Sequence, residues 1–152
     1  MNKTNLLTAA VVAVTLFFAA GSKAKSETGT EYQAVVQTAY DYFNGAANGD
    51  QTLLSKAFDI EFGHVKMINI NKETNEESIR TVTLKEFATY FKKATKDTWT
   101  ANILSVDIVD EKMAMVKLDF HTPKTHYIDY LVMYKRQGQW RIINKTFTSK
   151  KK

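Results

Sequence analysis

The sequence predicts an α+β domain in which helices from the N-terminal half pack on the concave face of a curved antiparallel sheet. Two observations carry that prediction. Apolar residues recur at helical spacing up to Phe58 and alternate at period two through four long segments between Trp99 and Thr148. Those segments are joined by two or three residues each, which forces antiparallel neighbours and a continuous meander. A length of 152 residues, with 44% hydrophobic and 24% charged residues, suits one core and leaves no room for a second domain. The absence of cysteine excludes disulfides, thiolate metal sites and cysteine nucleophiles.

The N-terminus reads as a targeting segment. Met1-Asn2-Lys3 gives a positive start, Leu6 to Ala20 is uncharged and apolar, and small residues follow through Ala24. An apolar run of ~15 residues falls short of the ~20 that span a bilayer, so the pattern is that of a secretory signal peptide. Residues 1–24 are therefore expected to be removed, leaving the protein in the periplasm or medium with no stable membrane insertion. Removal takes Lys3 and Lys23 with it and lowers the formal charge from +5 to +3. Part of the remaining excess is the tail 150–152, a solvated basic end, so no nucleic-acid partner is expected. Residues 25–30 read as a flexible lead-in and 31–149 as the folded domain.

Within that domain, Tyr32, Val35, Val36, Ala39, Tyr40 and Phe43 repeat at helical spacing and predict a helix over 31–47, stopped by the turn residues from Gly45 to Asp50. A short second helix is expected from Thr52 to Phe58, with Asp50 or Thr52 as its N-cap. Phe62 to Ile70 and Ile79 to Val82 read as partner strands across a polar connection. Thr83-Leu84-Lys85-Glu86 is a capping box that should open a third helix over 84–94. Four alternating strands complete the chain at 99–109, 113–122, 126–136 and 140–148, turning at Asp110-Glu111-Lys112, Pro123-Lys124 and Gln137-Gly138.

Four segments, YDYFNGAANGDQTLLSKAF from Tyr40, TLKEFATYF from Thr83, DYLVMYKRQGQW from Asp129 and WRIINKTF from Trp140, together resemble the nuclear transport factor 2-like superfamily. Within it they resemble the bacterial putative lumazine-binding family. The resemblance runs from Tyr32 to Phe147 and implies a cone-shaped, cystatin-like fold that often forms back-to-back dimers. It departs from the family pattern after the second helix, where a His-Pro-Asp-like turn is replaced by Asp59-Ile60-Glu61. The superfamily holds isomerases, dehydratases, cyclases and epoxide hydrolases beside noncatalytic binding and assembly domains, so the fold alone does not choose a function.

Strict alternation carried back from the three turns sorts the sheet residues by face. Ala101, Ile103, Tyr127, Asp129, Leu131, Ile142, Asn144 and Thr146 should face the helices, and Tyr40, Trp99, Tyr127, Asp129 and Asn144 should line a ligand pocket there. The opposite face should carry Leu104, Val106, Ile108, Ile128, Tyr130, Val132, Ile143 and Phe147. That face is too apolar to stay wet, and Ile128, Tyr130, Val132, Ile143 and Phe147 are the expected homodimer contact.

Asp129 is the sharpest catalytic candidate, a carboxylate among apolar neighbours; its alternative is a structural acid held by Thr146, Asn144 or backbone donors. His121 and His126 lie opposite each other across the Pro123-Lys124 turn, with Asp119 on the same face and no further ligand evident, so no metal is assigned. No phosphate loop, dinucleotide fingerprint, nucleophile elbow or zincin helix is present, and no cofactor is implied. Two classes remain. The first is an exported noncatalytic domain that binds a small apolar or aromatic molecule or serves as an assembly unit. The second is a cofactor-independent isomerase, dehydratase or cyclase, with Asp129 as base and Tyr40 or Tyr127 as hydrogen-bond donor. The first asks for less, only a cavity and an apolar face.

Overall fold

A computed structural model describes the backbone of residues 20–152 and the side chains of residues 29–152. The expected export signal at 1–24 thus lies outside the described residues, apart from the backbone of 20–24. The element order is α1 (Ala20–Asn48), α2 (Gln51–Ala57), β1 (His64–Ile70), β2 (Glu77–Thr83), α3 (Leu84–Ala88), β3 (Thr100–Val109), β4 (Met113–His121), β5 (Thr125–Arg136) and β6 (Gln139–Lys151). The α+β class expected from the sequence is the one found. The strands form one six-stranded curved sheet in the order β2-β1-β6-β5-β4-β3, and the sheet is not closed.

Each boundary has a local cause. Helix α1 starts well before the expected Glu31 and includes the residues read as a flexible lead-in. Its buried stripe is Val35, Thr38, Ala39, Tyr42 and Ala46, the three- and four-residue spacing of one helix face. Tyr42 is fully buried, while Tyr40, two positions away, sits off that stripe. The helix ends at Gly49, whose φ of +65° supplies the left-handed cap that side-chain-bearing residues resist. Asp50 then caps α2 by accepting from Thr52 and Leu53 N–H at 2.9 and 3.1 Å.

Thr83 caps α3 as expected, its hydroxyl oxygen accepting the Glu86 N–H at 3.1 Å. The other half of the capping box is not made: the Glu86 carboxylate accepts instead from Tyr90 Oη at 3.0 Å. The helix stops at Ala88, six residues short of expectation; beyond it the chain tightens into i→i+3 turns, with Tyr90 N–H on Phe87 O and Phe91 N–H on Ala88 O, and Gln51 Nε2 donates to the carbonyls of Ala88 and Phe91.

Strands β3 to β6 form the expected meander, turning through left-handed Asp110 and Glu111 and through Gln137-Gly138. The basic tail is not frayed. Strand β6 runs to Lys151, and Lys152 donates through its backbone to Lys124 O and through Nζ to Thr122 O. The hairpin of β1 and β2 joins the sheet through a parallel pairing of His64, Val65 and Lys66 with Asn144, Lys145 and Thr146. The sheet is therefore mixed rather than purely antiparallel.

Two one-residue bulges correct the expected faces. Pairing shifts between Ile103 and Ser105 on β3, and between Val132 and Met133 across from β6, where Ile143 is the extra residue. Beyond a bulge every side chain changes face. Val106 and Ile108 thereby pack against the core rather than away from it. On β6, Asn144 and Thr146 turn outward, while Lys145 and Phe147 turn inward. The core itself is Leu54, Phe58, Val116, Leu118, Leu131, Met133 and Ile142, clamped between α1, α2 and the sheet.

Candidate functional site

The open end of the concave face holds a cavity of about 200 Å³. Its walls are aromatic. Trp99, Phe120, Tyr127 and Phe147 succeed one another along the sheet at centroid separations of 5.3, 5.5 and 6.0 Å. Phe87 and Phe91, edge to face at 5.2 Å, close it from the α3 side. The aromatic pairs set these rings in tilted or edge-on contact, the arrangement their quadrupoles favour.

The floor is polar and wholly enclosed. Asp129 and Lys145 have side chains 1% and 3% exposed, and Lys145 Nζ stands 2.5 Å from Asp129 Oδ1. Tyr42 Oη donates to the other carboxylate oxygen at 3.1 Å. The ammonium also lies over the rings of Phe147, Tyr42 and Phe87, with centroids at 4.4, 5.5 and 6.0 Å, so its charge meets π faces wherever it does not meet the carboxylate. Burial lowers the Lys145 pKa from the ordinary lysine value, against the opposing pull of Asp129. Burial, followed by the neighbouring Asp129 charge, raises the Tyr42 phenol well above its usual value.

Of the pocket residues expected from sequence, the structure brings together Trp99, Tyr127 and Asp129. Tyr40 and Asn144 do not line the cavity; helix phase displaces the first and the β6 bulge the second. Phe147, expected at the dimer face, is a cavity wall for the same reason. Asp129 is held by Lys145 and Tyr42 rather than by Thr146 or Asn144, and its partner across the ladder is Phe147. Lys145 and Tyr42 are the residues that sequence reasoning missed. Ile128, Tyr130, Val132 and Ile143 do lie on the outward face, where Met113, Met115, Tyr130 and Tyr134 are exposed.

The Asp59-Ile60-Glu61 turn is a structural corner. The Asp59 carboxylate accepts from Glu61 and Phe62 N–H and pairs with Arg136 at 2.5 Å. Burial pushes its pKa upward, but the Phe62 N–H and the Arg136 guanidinium outweigh that and hold it below the usual carboxylate range. On the far side of α1, Glu31 joins Lys135 and the Trp140 indole at 2.6 and 2.7 Å, and those hydrogen bonds lower its pKa.

Comparison with known proteins places this geometry. The model of the family described as putative lumazine-binding matches residues 30–148, and the chain belongs to that family. A nuclear transport factor 2-like protein from Shewanella baltica shares the fold at a TM-score of 0.67, with 18% identity over 80% of this chain and 94% of that one. The association domain of C. elegans CaMKII does so at 0.55, with 15% identity over 79% and 96%. A curated relative, the aldolase FrzH of Cladobotryum sp, is 25% identical over 128 residues, 83% of this chain and 97% of its own length.

Proposed function

We propose that the protein is an exported, noncatalytic binding domain whose cavity takes a flat molecule of one or two rings with a polar edge. The observation that carries this reading is an aromatic wall set over a floor that is polar yet internally neutral. Asp129 and Lys145 cancel each other's charge at 2.5 Å and both line the cavity, so a guest's polar edge meets a neutral ion pair rather than a bare charge. The volume of about 200 Å³ exceeds the ~150 Å³ of an engineered cavity that admits benzene and falls short of the ~300 Å³ where drug-sized pockets begin. The family's description supports the same chemistry, since lumazine is a flat nitrogen heterocycle with polar edges. The positive start and apolar run before Ala24 support export. The exposed apolar outer face supports a homodimer, and an association domain is among the proteins that share the fold.

The test is thermal unfolding of the purified chain with a panel of pteridines and simple aromatic heterocycles. Members of the panel should raise the melting temperature of the parent and leave Phe147→Trp, which fills the cavity, unmoved. A rise that survives Phe147→Trp would place the guest elsewhere, and no rise with any ring compound would refute the reading.

A second reading is favoured by one observation, the enclosed Lys145 amine whose charged form burial disfavours. Such an amine beside a carboxylate and a phenol suits acid/base or carbonyl chemistry, and the curated relative is named an aldolase. On this reading Lys145, Asp129 and Tyr42 act together, in place of Asp129 with Tyr40 or Tyr127. Borohydride reduction in the presence of small ketones and aldehydes separates the two, because only an imine-forming Lys145 leaves a stable adduct for mass spectrometry.

A further inference from the structure

At the tip of the β4–β5 hairpin, on the outward face of the sheet, stand three side chains that the binding reading does not use. His121 and His126 are direct partners across the hairpin, and their rings stack 4.2 Å apart within 3° of parallel. Both turn Nε2 onto the same oxygen, Asp119 Oδ1, at 3.0 and 2.6 Å. Sequence spacing already puts Asp119 on the face of the two histidines, and the pairing register agrees, because positions 119 and 121 of β4 share a face with position 126 of β5.

We propose that Asp119, His121 and His126 form a binding site for a divalent first-row transition metal such as zinc, held by two imidazole nitrogens and one carboxylate oxygen. One ligand atom from each residue already lies within 4.8 Å of the others. Ligand atoms of a tetrahedral site with ~2.0–2.1 Å bonds are about 3.4 Å apart, so the nitrogens need to draw back from Oδ1 by less than 1 Å. The two rings must also rotate out of their parallel stack, because a metal lies in the plane of each imidazole that binds it. Two nitrogens and one oxygen suit zinc, copper, nickel or cobalt, whereas magnesium and calcium call for oxygen donors. The fourth position faces water, since the side chains of Asp119, His121 and His126 are 20%, 30% and 36% exposed.

The scaffold is rigid where the ligands are. All three stand on ladder positions, and the turn between them is closed by Thr122 N–H to Thr125 O at 2.9 Å and by Lys152 Nζ to Thr122 O at 2.8 Å. Around the cluster, Thr100 and Asn102 of β3 lie opposite His121 and Asp119, and Lys150 of β6 lies opposite His126. Lys150 is the one cation among these ladder partners. It is exposed and its charge is solvated.

The experiment is isothermal titration of the purified chain with zinc chloride at pH 7.5, with magnesium chloride as comparison. One zinc per chain should bind in the micromolar range, magnesium should not, and His126→Ala and Asp119→Asn should each weaken zinc at least tenfold. His64→Ala, which removes the remaining histidine on β1, should leave binding unchanged. Should His126→Ala misfold, His121→Ala provides the same reading, because all three side chains are partly exposed and separable from the core. No zinc binding at 100 μM protein, or equal binding by parent and His121→Ala, would overturn the proposal.

Discussion

Replacing Asp129 with asparagine tests the floor of the cavity most directly. The substitution keeps shape and leaves Tyr42 an acceptor, but it removes the counter-charge from an ammonium whose side chain is 3% exposed. Without Asp129 only the surrounding rings oppose the desolvation that already lowers the Lys145 pKa, so the folded variant is expected to hold the amine neutral at pH 7. Bringing a lysine of ordinary pKa ~10.4 to its neutral form at pH 7 costs about 4.6 kcal/mol, which bounds the damage. We expect Asp129→Asn to lose about 3–4.5 kcal/mol at pH 7, in line with breaking a buried pair. The sign with pH follows. The unfolded variant carries one proton more than the folded one, so its stability rises by about 1.4 kcal/mol per unit until the unfolded lysine titrates near pH 10. Urea unfolding at pH 7 and 9.5 therefore should show the deficit shrinking to roughly 1 kcal/mol. The double change Asp129→Leu with Lys145→Met should recover most of the stability, since an apolar pair of similar bulk has no charge to desolvate. A deficit under about 1 kcal/mol at pH 7, or one of equal size at pH 9.5, would refute the reasoning.

Other expectations follow from other parts of the fold. Tyr130→Asp places a charge in the middle of the apolar outer face, and light scattering should find it monomeric where the parent is dimeric; a monomeric parent at high micromolar concentration counts against the interface. Glu31 and Asp59 have folded pKa values below their unfolded ones, so their stabilisation is complete above about pH 4.5 and fades as pH falls through the lowered values. Acid titrations should find Arg136→Met less stable at pH 7 and less sensitive to acid than the parent; parallel curves would remove Asp59 from the account. Export predicts a mature N-terminus between Gly21 and Ser26, and sequencing of intact Met1 chain from a membrane fraction would rule that out.

What could be read in the sequence was local. The Asp50 and Thr83 caps, the Gly49 stop and the meander turns each rest on a few adjacent residues, and all stand where expected. The parallel seam between β1 and β6 joins residues some eighty positions apart and leaves no local sign. The faces of β3 and β6 were legible in principle. Trp140 and Ile142 are even-numbered core residues, yet the next inward aromatic is Phe147. A strand with one buried face changes parity only by inserting a residue, so the apolar Ile143 between them marks the bulge. Ala101 and Ile103 followed by Val106 and Ile108 carry the same sign on β3. Alternation carried without that parity check sends Lys145 and Phe147 to the wrong face and hides the centre of the site.

The β6 bulge also bears on the choice between binding and catalysis. In regular register Asp129 would lie opposite Thr146, and Lys145 would point outward as an ordinary surface lysine. The extra residue brings Lys145 inside, against Asp129 and under three aromatic rings, at a place where an apolar pair would hold the sheet at least as well. A stability role alone therefore does not account for the pair, which lines the cavity above it. Binding can use the pair as it stands, since a ring with polar edges meets a neutral ion pair with no proton moved. Imine chemistry needs Lys145 neutral, and at pH 7 that state lies up to about 4.6 kcal/mol uphill, less the part burial has already supplied. A substrate would have to displace Asp129 from the amine to close the difference, while a ligand has nothing to displace, and on that asymmetry the binding reading stands first.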